Sequence, residues 1–253
     1  MTLEKHTILI TGATAGFGKA CAEKFANAGA KLILTGRRIE RLKELQNTLD
    51  PKRVHIIQQD VRDRAAVETL IDQLPPAFQE ISVLVNNAGL ALGLEKSPNT
   101  KLDDWEQMID TNIKGVLYYT HTILKGMVER NRGHIVNLGS IAGTYPYAGG
   151  NVYGATKAFL EQFSLNLRTD LLGKNIRVTN IEPGMAETEF SDVRFSGDQS
   201  RAKQVYEGVK ALTAEDIAET IYWCITQPEH VNINRIEMMC TMQVPGGLTV
   251  HRK

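Results

Sequence analysis

Neither sign of charge is in excess: Lys and Arg together number 29, as do Asp and Glu, across 253 residues. A formal net charge of zero provides no field to draw the chain onto nucleic acid or an anionic membrane, so neither is expected as a partner. Cysteine is scarce. Cys21, Cys224 and Cys240 stand far apart without metal-ligand spacing, which argues against a disulfide framework or a metal site and suits reduced, core-filling thiols in a cytoplasmic protein. No apolar stretch is long enough to span a bilayer, and the start, MTLEKHTILITG, passes from a few charged residues into a short apolar run, so nothing directs the chain out of the cytoplasm. Linkers, low-complexity tracts and clear internal repeats are also missing. The length suits a single α/β domain with a substantial core.

What the chain does contain is a recurring alternation. Short runs rich in Ile, Leu and Val appear in HTILITG, KLILTGR, VHIIQQDV, ISVLVNNAG, GHIVNLGS, IRVTNIEPG and RIEMMCTM. They show no polar alternation, as expected of strands covered on both faces. Between them, segments with helical spacing cover roughly 16–28, 38–49, 63–74, 103–130, 151–172 and 213–226. Such alternation predicts a Rossmann-like, doubly wound parallel sheet of about seven strands with helices on both faces, its ligands beyond the carboxyl ends of the strands. A cofactor half over about 1–130 and a catalytic and substrate half over about 131–253 follow from that plan. The stretch 185–212 is rich in charge and poor in pattern, and reads as a lid.

The first strand runs into TGATAGFG, in which Gly12, Gly16 and Gly18 surround Thr14 and Phe17 and open the first helix. Glycines there permit a tight turn, let a pyrophosphate approach the backbone and leave a helix amino terminus free to bind its charge, although glycine also ends strands for purely steric reasons. The second strand ends in Arg37 and Arg38, with no acidic residue to hold a ribose 2′-hydroxyl. Two guanidiniums at that point can bind a 2′-phosphate and favour NADP(H) over NAD(H); alternatively they begin a solvated helix and pair with Glu40 or Glu44. Asp60 and Val61 close the third strand, and Asn87, Ala88 and Gly89 the fourth. They suit adenine and ribose, or serve only as strand-end turns.

Within NVYGATKAF, Tyr153 and Lys157 lie four residues apart, on one face of a helix. A lysine at that spacing lowers the pKa of the phenol and fits it for proton transfer near neutral pH, unless the pair is simply a surface tyrosine beside a solvated lysine.

T-G-x-x-x-G-x-G at 11–18, N-N-A-G at 86–89, Asn112 in a long helix, Ser140 after the fifth strand, Y-x-x-x-K at 153–157 and Pro183-Gly184 after the sixth occur in order along the whole chain. Together they resemble the short-chain dehydrogenase/reductase family. YPYAGGNVYGATKAF, FSLNLRTDL, EFSDVRF and the closing VHR are similar, more narrowly, to its NADP-dependent 3-hydroxy acid dehydrogenases, a group related to sulfoacetaldehyde reductases. The resemblance implies that Tyr153 is the general acid and base, that Lys157 holds its pKa down and bonds the nicotinamide ribose, and that Ser140 donates to the same substrate oxygen. It further implies that Asn112 links Lys157 to solvent and that Thr188, with Pro183 and Gly184, fixes the carboxamide. A mid-helix asparagine also caps or kinks a helix, and a serine after a strand also caps a turn.

For the substrate, Arg194, Arg201 and Lys203 are candidate clamps for an anion. Arg194 is preferred because Val193 and Phe195 flank it, although a lid arginine is also ordinary surface. Gly149, Gly150 and Asn151 leave little bulk before the tyrosine and suit a compact polar substrate, with Asn151 as a contact. The expected activity is hydride transfer between NADP(H) and a short anionic 3-hydroxy acid or its aldehyde. A sulfoacetaldehyde reductase forming isethionate is the neighbouring alternative, and a non-catalytic NADP(H)-binding regulator the alternative of another class. The resemblance also implies a homotetramer assembled through the helices of Asn112 and Tyr153. Val152, Ala155, Phe159, Phe163 and Leu167 offer an apolar face for it, a pattern that burial within one subunit equally explains. The tail CTMQVPGGLTVHRK has no assignable pattern.

Overall fold

In the computed structural model the apolar runs become seven strands: β1 (Thr7–Thr11), β2 (Lys31–Gly36), β3 (Val54–Gln58), β4 (Val83–Asn86), β5 (Gly133–Leu138), β6 (Ile176–Pro183) and β7 (Arg235–Met238). The structure describes residues 2–195, 197–245 and 250–252; the tail residues 246–249 and 253 lie outside them. All neighbouring strands pair in parallel in the order β3-β2-β1-β4-β5-β6-β7. Between them come α1 (Gly16–Asn27), α2 (Ile39–Thr48), α3 (Arg64–Glu68), α4 (Leu102–Ile109), α5 (Gly115–Glu129), α6 (Asn151–Asp170), α7 (Phe190–Arg194), α8 (Gln199–Tyr206) and α9 (Ala214–Thr226).

Continuous apolarity in the strands follows from coverage on both faces. Ile8 and Ile10 of β1 pack with Phe25 of α1, Leu42 of α2 and Ile221 of α9, whereas Leu9 points the other way into a core with Val67 of α3, Tyr119 and Ile123 of α5 and Leu167 of α6. Cys21 and Cys224 fill the first of these cores, and Cys240 is buried too. Helix α9 begins where Thr213 and Asp216 form a reciprocal capping box. Strand β7 departs from the expected double coverage, because it is the border of the sheet and its residues alternate between exposed and half-buried. No helix among the described residues is long and apolar enough to cross a membrane.

Three helical expectations need correction. Over 63–74 only α3 forms, capped by Asp63, and the chain then tightens into a 3₁₀ turn at Ile71–Gln73. The patternless stretch 185–212 contains α7 and α8, too short to display a period; Asp198 caps α8 by accepting from the Ser200 and Arg201 amides. The long helix expected over 103–130 is divided by a π turn at Asp110–Lys114.

That π turn re-aims one side chain, as inserted turns of this kind do inside helices. Asn112, 1% exposed, accepts from the Leu90 amide at 2.9 Å and donates to the Leu90 carbonyl at 2.8 Å and the Thr156 hydroxyl at 3.1 Å. The loop after β4 is thereby fastened to α6. Asn112→Ala leaves both backbone groups of Leu90 without these partners, and we expect a stability loss of about 2 kcal/mol. Urea denaturation checks this through a lower midpoint at constant slope.

Deeper in the sheet a line of polar groups crosses the strands. Asn86 of β4 faces Asn137 of β5 in register and donates to its amide oxygen at 2.9 Å and to the Thr120 hydroxyl at 3.0 Å. Asn137 donates to Ser164 of α6 at 2.8 Å, and Ser164 donates to the Leu160 carbonyl at 2.6 Å. All four polar residues are essentially inaccessible to solvent.

Candidate active site

Strand β1 lies between β2 and β4, so the chain turns outward in opposite directions from it and leaves a crevice beyond its carboxyl end. A cleft with about 320 Å³ of free volume opens there. Its floor is the glycine loop. Gly12 and Gly16 hold positive φ angles of 67° and 50°, which side chains with a Cβ seldom adopt, and a Cβ on Gly12 would stand 2.9 Å from the Ala88 Cα. Gly18 does not line the cleft; a Cβ there would collide with the Asn87 amide and the Gly12 carbonyl, so it serves the close seating of α1. The Asn87 side chain donates to the carbonyls of Thr11 at 2.8 Å and Gly12 at 3.1 Å, while the Thr11 hydroxyl accepts from the amides of Asn87 and Ala88, both at 3.0 Å. The Asn-Asn-Ala-Gly turn thus braces the loop. Thr14, Gly16, Phe17, Ala88 and Gly89 line the same wall, a cradle with the bare backbone that a dinucleotide pyrophosphate needs.

At the end of β2, Arg37 and Arg38 both reach the cleft, and neither begins the solvated pairing with Glu40 or Glu44. Arg38 donates through Nε and Nη2 to the Thr14 hydroxyl at 3.1 and 2.7 Å. Its Nη1 meets Glu189, from the opposite wall, at 3.1 Å, and Arg41 Nη1 meets both oxygens of that carboxylate at 2.8 Å. Arg41 and Glu189 were not identifiable from the sequence, since nothing local brings residues 41 and 189 together. Asp60 and Val61 line the far end. A hydrogen bond from Arg62, at 2.7 Å, holds the Asp60 carboxyl below its usual range.

Ser140, Tyr153 and Lys157 converge on the other half of the cleft. Ser140 follows β5 and its hydroxyl also caps the turn Ile141–Gly143, accepting from the Ala142 amide at 3.1 Å. The serine thus caps a turn at a position that also faces the cleft. Tyr153 and Lys157 share the inner face of α6, with the ammonium 5.8 Å from the ring centroid. The expected lowering of the phenol's pKa is not what this arrangement gives. Burial pushes Tyr153 up to about 12, with Arg194 and then Ser140 pulling the other way and Tyr147 adding to the rise. Lys157 does not reach the hydroxyl: its Nζ donates to the Leu138 carbonyl at 2.6 Å, and burial brings it down to about 8. Asn112 stands behind this pair, outside the cleft lining; a Cβ on Gly89 would meet its Oδ1 at 3.3 Å and the Lys157 Nζ at 3.6 Å.

The turn after β6 brings Pro183, Gly184 and Thr188 to the cleft. Thr188 faces Gly16 and accepts from the Phe190 amide at 3.2 Å. Gln243, from the tail, accepts from the Met185 amide at 2.8 Å and steadies that turn. Arg194 lies over the Tyr153 ring, with Cζ 5.2 Å from its centroid, 5.4 Å from that of Phe190 and 5.9 Å from that of Tyr147. It donates to the Tyr147 hydroxyl at 2.7 Å, and its Nε is buried with no partner. Tyr147 and Phe190 are thus neighbours of the site that the spacing did not disclose. Arg201 pairs instead with Glu95 at 3.9 Å, over the Phe195 ring. Asn151 requires correction: it does not line the cleft, because its Nδ2 donates to the Glu95 carbonyl at 3.2 Å and its Oδ1 accepts from the Val152 amide at 2.7 Å. The first of these bonds ties the start of α6 to the loop before α4.

Residues 6–199 match the family described as short chain dehydrogenase. The chain is 58% identical over 246 residues to an NADP-dependent 3-hydroxy acid dehydrogenase of Salmonella typhi, covering 97% of this chain and 99% of that protein. It is 53% identical over 247 residues to sulfoacetaldehyde reductase 2 of Chromohalobacter salexigens, with 97% and 98% covered. Among solved structures, the closed form of serine dehydrogenase complexed with NADP+ superposes with a TM-score of 0.93 at 56% identity, over 97% of this chain and 99% of that one.

Proposed function

The chain belongs to the short-chain dehydrogenase family, and from that premise we propose that it transfers hydride between NADP(H) and a short anionic 3-hydroxy acid or its aldehyde. The relatives' dependence on NADP agrees with the guanidiniums of Arg37 and Arg38 beside a bare glycine cradle. One observation carries the substrate class. A guanidinium rests 5.2 Å above the ring of the buried phenol, its Nε unpartnered, so a small molecule whose carbonyl meets Tyr153 has a fixed cation beside it. An anionic group close to the reacting carbon is what such a cation recognises.

In this reading residues 1–130 supply the cofactor half, 131–253 the catalytic half, and 185–212 the lid that brings Arg194. The bound nicotinamide supplies the hydride. Tyr153, protonated because burial holds it near 12, gives its hydroxyl proton to the carbonyl oxygen, while Ser140 donates a hydrogen bond to the same atom. Charge developing on that oxygen then meets two prepositioned hydroxyls. Lys157, charged below about 8, favours the phenolate that remains, and Asn112 holds the Leu90 backbone beside it. Oxidation of the alcohol runs the same proton path backwards. Neutral net charge and buried thiols support a cytoplasmic setting. The partly exposed Phe159–Phe163 stack, 5.6 Å between centroids, and exposed Leu165 on α6 support a homotetramer.

Side-by-side kinetics with malonic semialdehyde, L-serine and sulfoacetaldehyde test the assignment. We expect turnover with NADP(H) to favour the carboxylates over the sulfonate. Failure with all three would remove the proposal, and a dominant rate with sulfoacetaldehyde would transfer it to the neighbouring reaction. Arg194→Ala should raise KM for an anionic aldehyde about 10- to 100-fold, the loss of one or two charge-assisted hydrogen bonds. A neutral aldehyde of similar size is the control; an equal KM effect on both would take Arg194 out of substrate binding.

A further inference from the structure

Glu189 brings a carboxylate to the arginines at the end of β2 from the opposite wall of the cleft. It belongs to the segment read above as a lid, yet its oxygens occupy the Nη1 groups of Arg38 and Arg41 across the cleft. The remaining donors that Arg38 commits, Nε and Nη2, both go to the Thr14 hydroxyl. Three guanidiniums, those of Arg37, Arg38 and Arg41, thus gather at the end of β2 and the start of α2, and the acid bonded to the last two comes from the opposite wall. Burial raises the Glu189 carboxyl, and the hydrogen bonds from Arg41 and Arg38 more than reverse this, so it is ionised at neutral pH.

We infer that Glu189 is an internal anion that competes with the cofactor's 2′-phosphate for Arg38 and Arg41, so that arrival of the phosphate frees the first turn of the lid. This rests on the NADP reading above and goes beyond it by giving a residue outside the cofactor fingerprint a part in cofactor choice and lid release. Two physical arguments set the direction. A phosphate dianion beside an undisplaced carboxylate meets like-charge repulsion, so the two anions cannot share the arginines without cost. Second, the pair is exchangeable: Arg38, Arg41 and Glu189 side chains are 45%, 43% and 44% exposed, and ion pairs so open to water hold weakly. Displacement also has a mechanical reach. Thr188 and Phe190 flank Glu189, the first facing Gly16 and the second 5.7 Å from the Tyr153 ring, so freeing the carboxylate loosens the segment lying between the two halves of the cleft.

Calorimetric titration with adenosine 2′-monophosphate, which carries the phosphate without any nicotinamide, tests the competition. Adenosine 5′-monophosphate is the control. Glu189→Gln should bind the 2′-phosphate about 3- to 10-fold more tightly than the unsubstituted protein, with 5′-phosphate affinity unchanged and the gain shrinking as salt screens the charges. Hydrogen exchange across residues 188–195 should rise when the 2′-phosphate is added to the unsubstituted protein, and should start high and stay unchanged in Glu189→Gln. Equal or weaker 2′-phosphate binding by Glu189→Gln overturns the inference, as does protection of 188–195 by the 2′-phosphate. If the unsubstituted protein fails to distinguish the two monophosphates, the NADP reading itself falls, and that outcome is separate from the others.

Discussion

Replacing Tyr153 with phenylalanine is expected to lower the rate of carbonyl reduction about 10³-fold, within the range that a positioned general acid and an oxyanion donor contribute. The substitution isolates chemistry from packing. The ring contacts of Tyr153 are with Phe190, tilted at 55° and 5.7 Å away, with the guanidinium of Arg194 and with the Lys157 ammonium, and a phenylalanine keeps all three. What disappears is one hydroxyl in a site 9% exposed, where bulk water is poorly placed to replace it. Titration of NADPH fluorescence should show cofactor binding preserved within about twofold, since the glycine cradle and the arginines stand elsewhere. A loss of less than tenfold would mean that the proton comes from another group, and it would equally remove Ser140 and Lys157 from their assigned parts. Retained cofactor binding with abolished turnover also separates an enzyme from a regulator that uses the same cleft.

The second large effect concerns cofactor choice. Arg37→Asp combined with Arg38→Leu should reduce the preference for NADPH over NADH by about 10² to 10³, since each charge-assisted hydrogen bond to a phosphate contributes roughly 1.5 to 3 kcal/mol. The new aspartate also places an acceptor where a ribose hydroxyl can use it. Arg38 is already oriented by the Thr14 hydroxyl, so its fork loses little freedom on engaging a phosphate. Arg41 remains in the double variant, which is why a complete reversal is not expected. Dissociation constants for both cofactors, measured at one salt concentration, check the change; equal affinities in the unsubstituted protein would defeat the assignment of the arginines.

The parts of this molecule that could be read in advance are those whose cause is local. β1 carries the unbroken apolar run Ile8-Leu9-Ile10 and is buried at all five positions because both its faces are covered, and a glycine loop must follow a strand that delivers a phosphate to a helix start. Helical spacing puts Tyr153 and Lys157 on one face, and the ordered motifs of the family resemblance give that pair its expected part. What stayed hidden depends on distance along the chain. Glu189 meets Arg41 across 148 positions, and Tyr147 meets Arg194 across 47, so no window of sequence contains either pair. Asn151 misled for the opposite reason: its neighbourhood before the tyrosine suggested a substrate contact, and a remote carbonyl, that of Glu95, took its amide. The acidity of Tyr153 misled because spacing reveals a neighbouring charge but not the depth of burial, and here burial is the larger effect. The π turn was invisible because one inserted residue shifts the helical period less than side-chain variation does.

The buried line from Asn86 through Asn137 to Ser164 bears on how the sheet assembles. Parallel strands pair across long connections, form slowly and offer apolar runs that look alike at every offset. Sliding β4 by one residue against β5 would set the Asn86 amide opposite an aliphatic neighbour and strand the Asn137 amide oxygen in a dry interior, at about 1 to 3 kcal/mol for each unpaired group. Misaligned intermediates are thereby made shallow traps, and the asparagines act as a key that only one alignment of the central strands can turn.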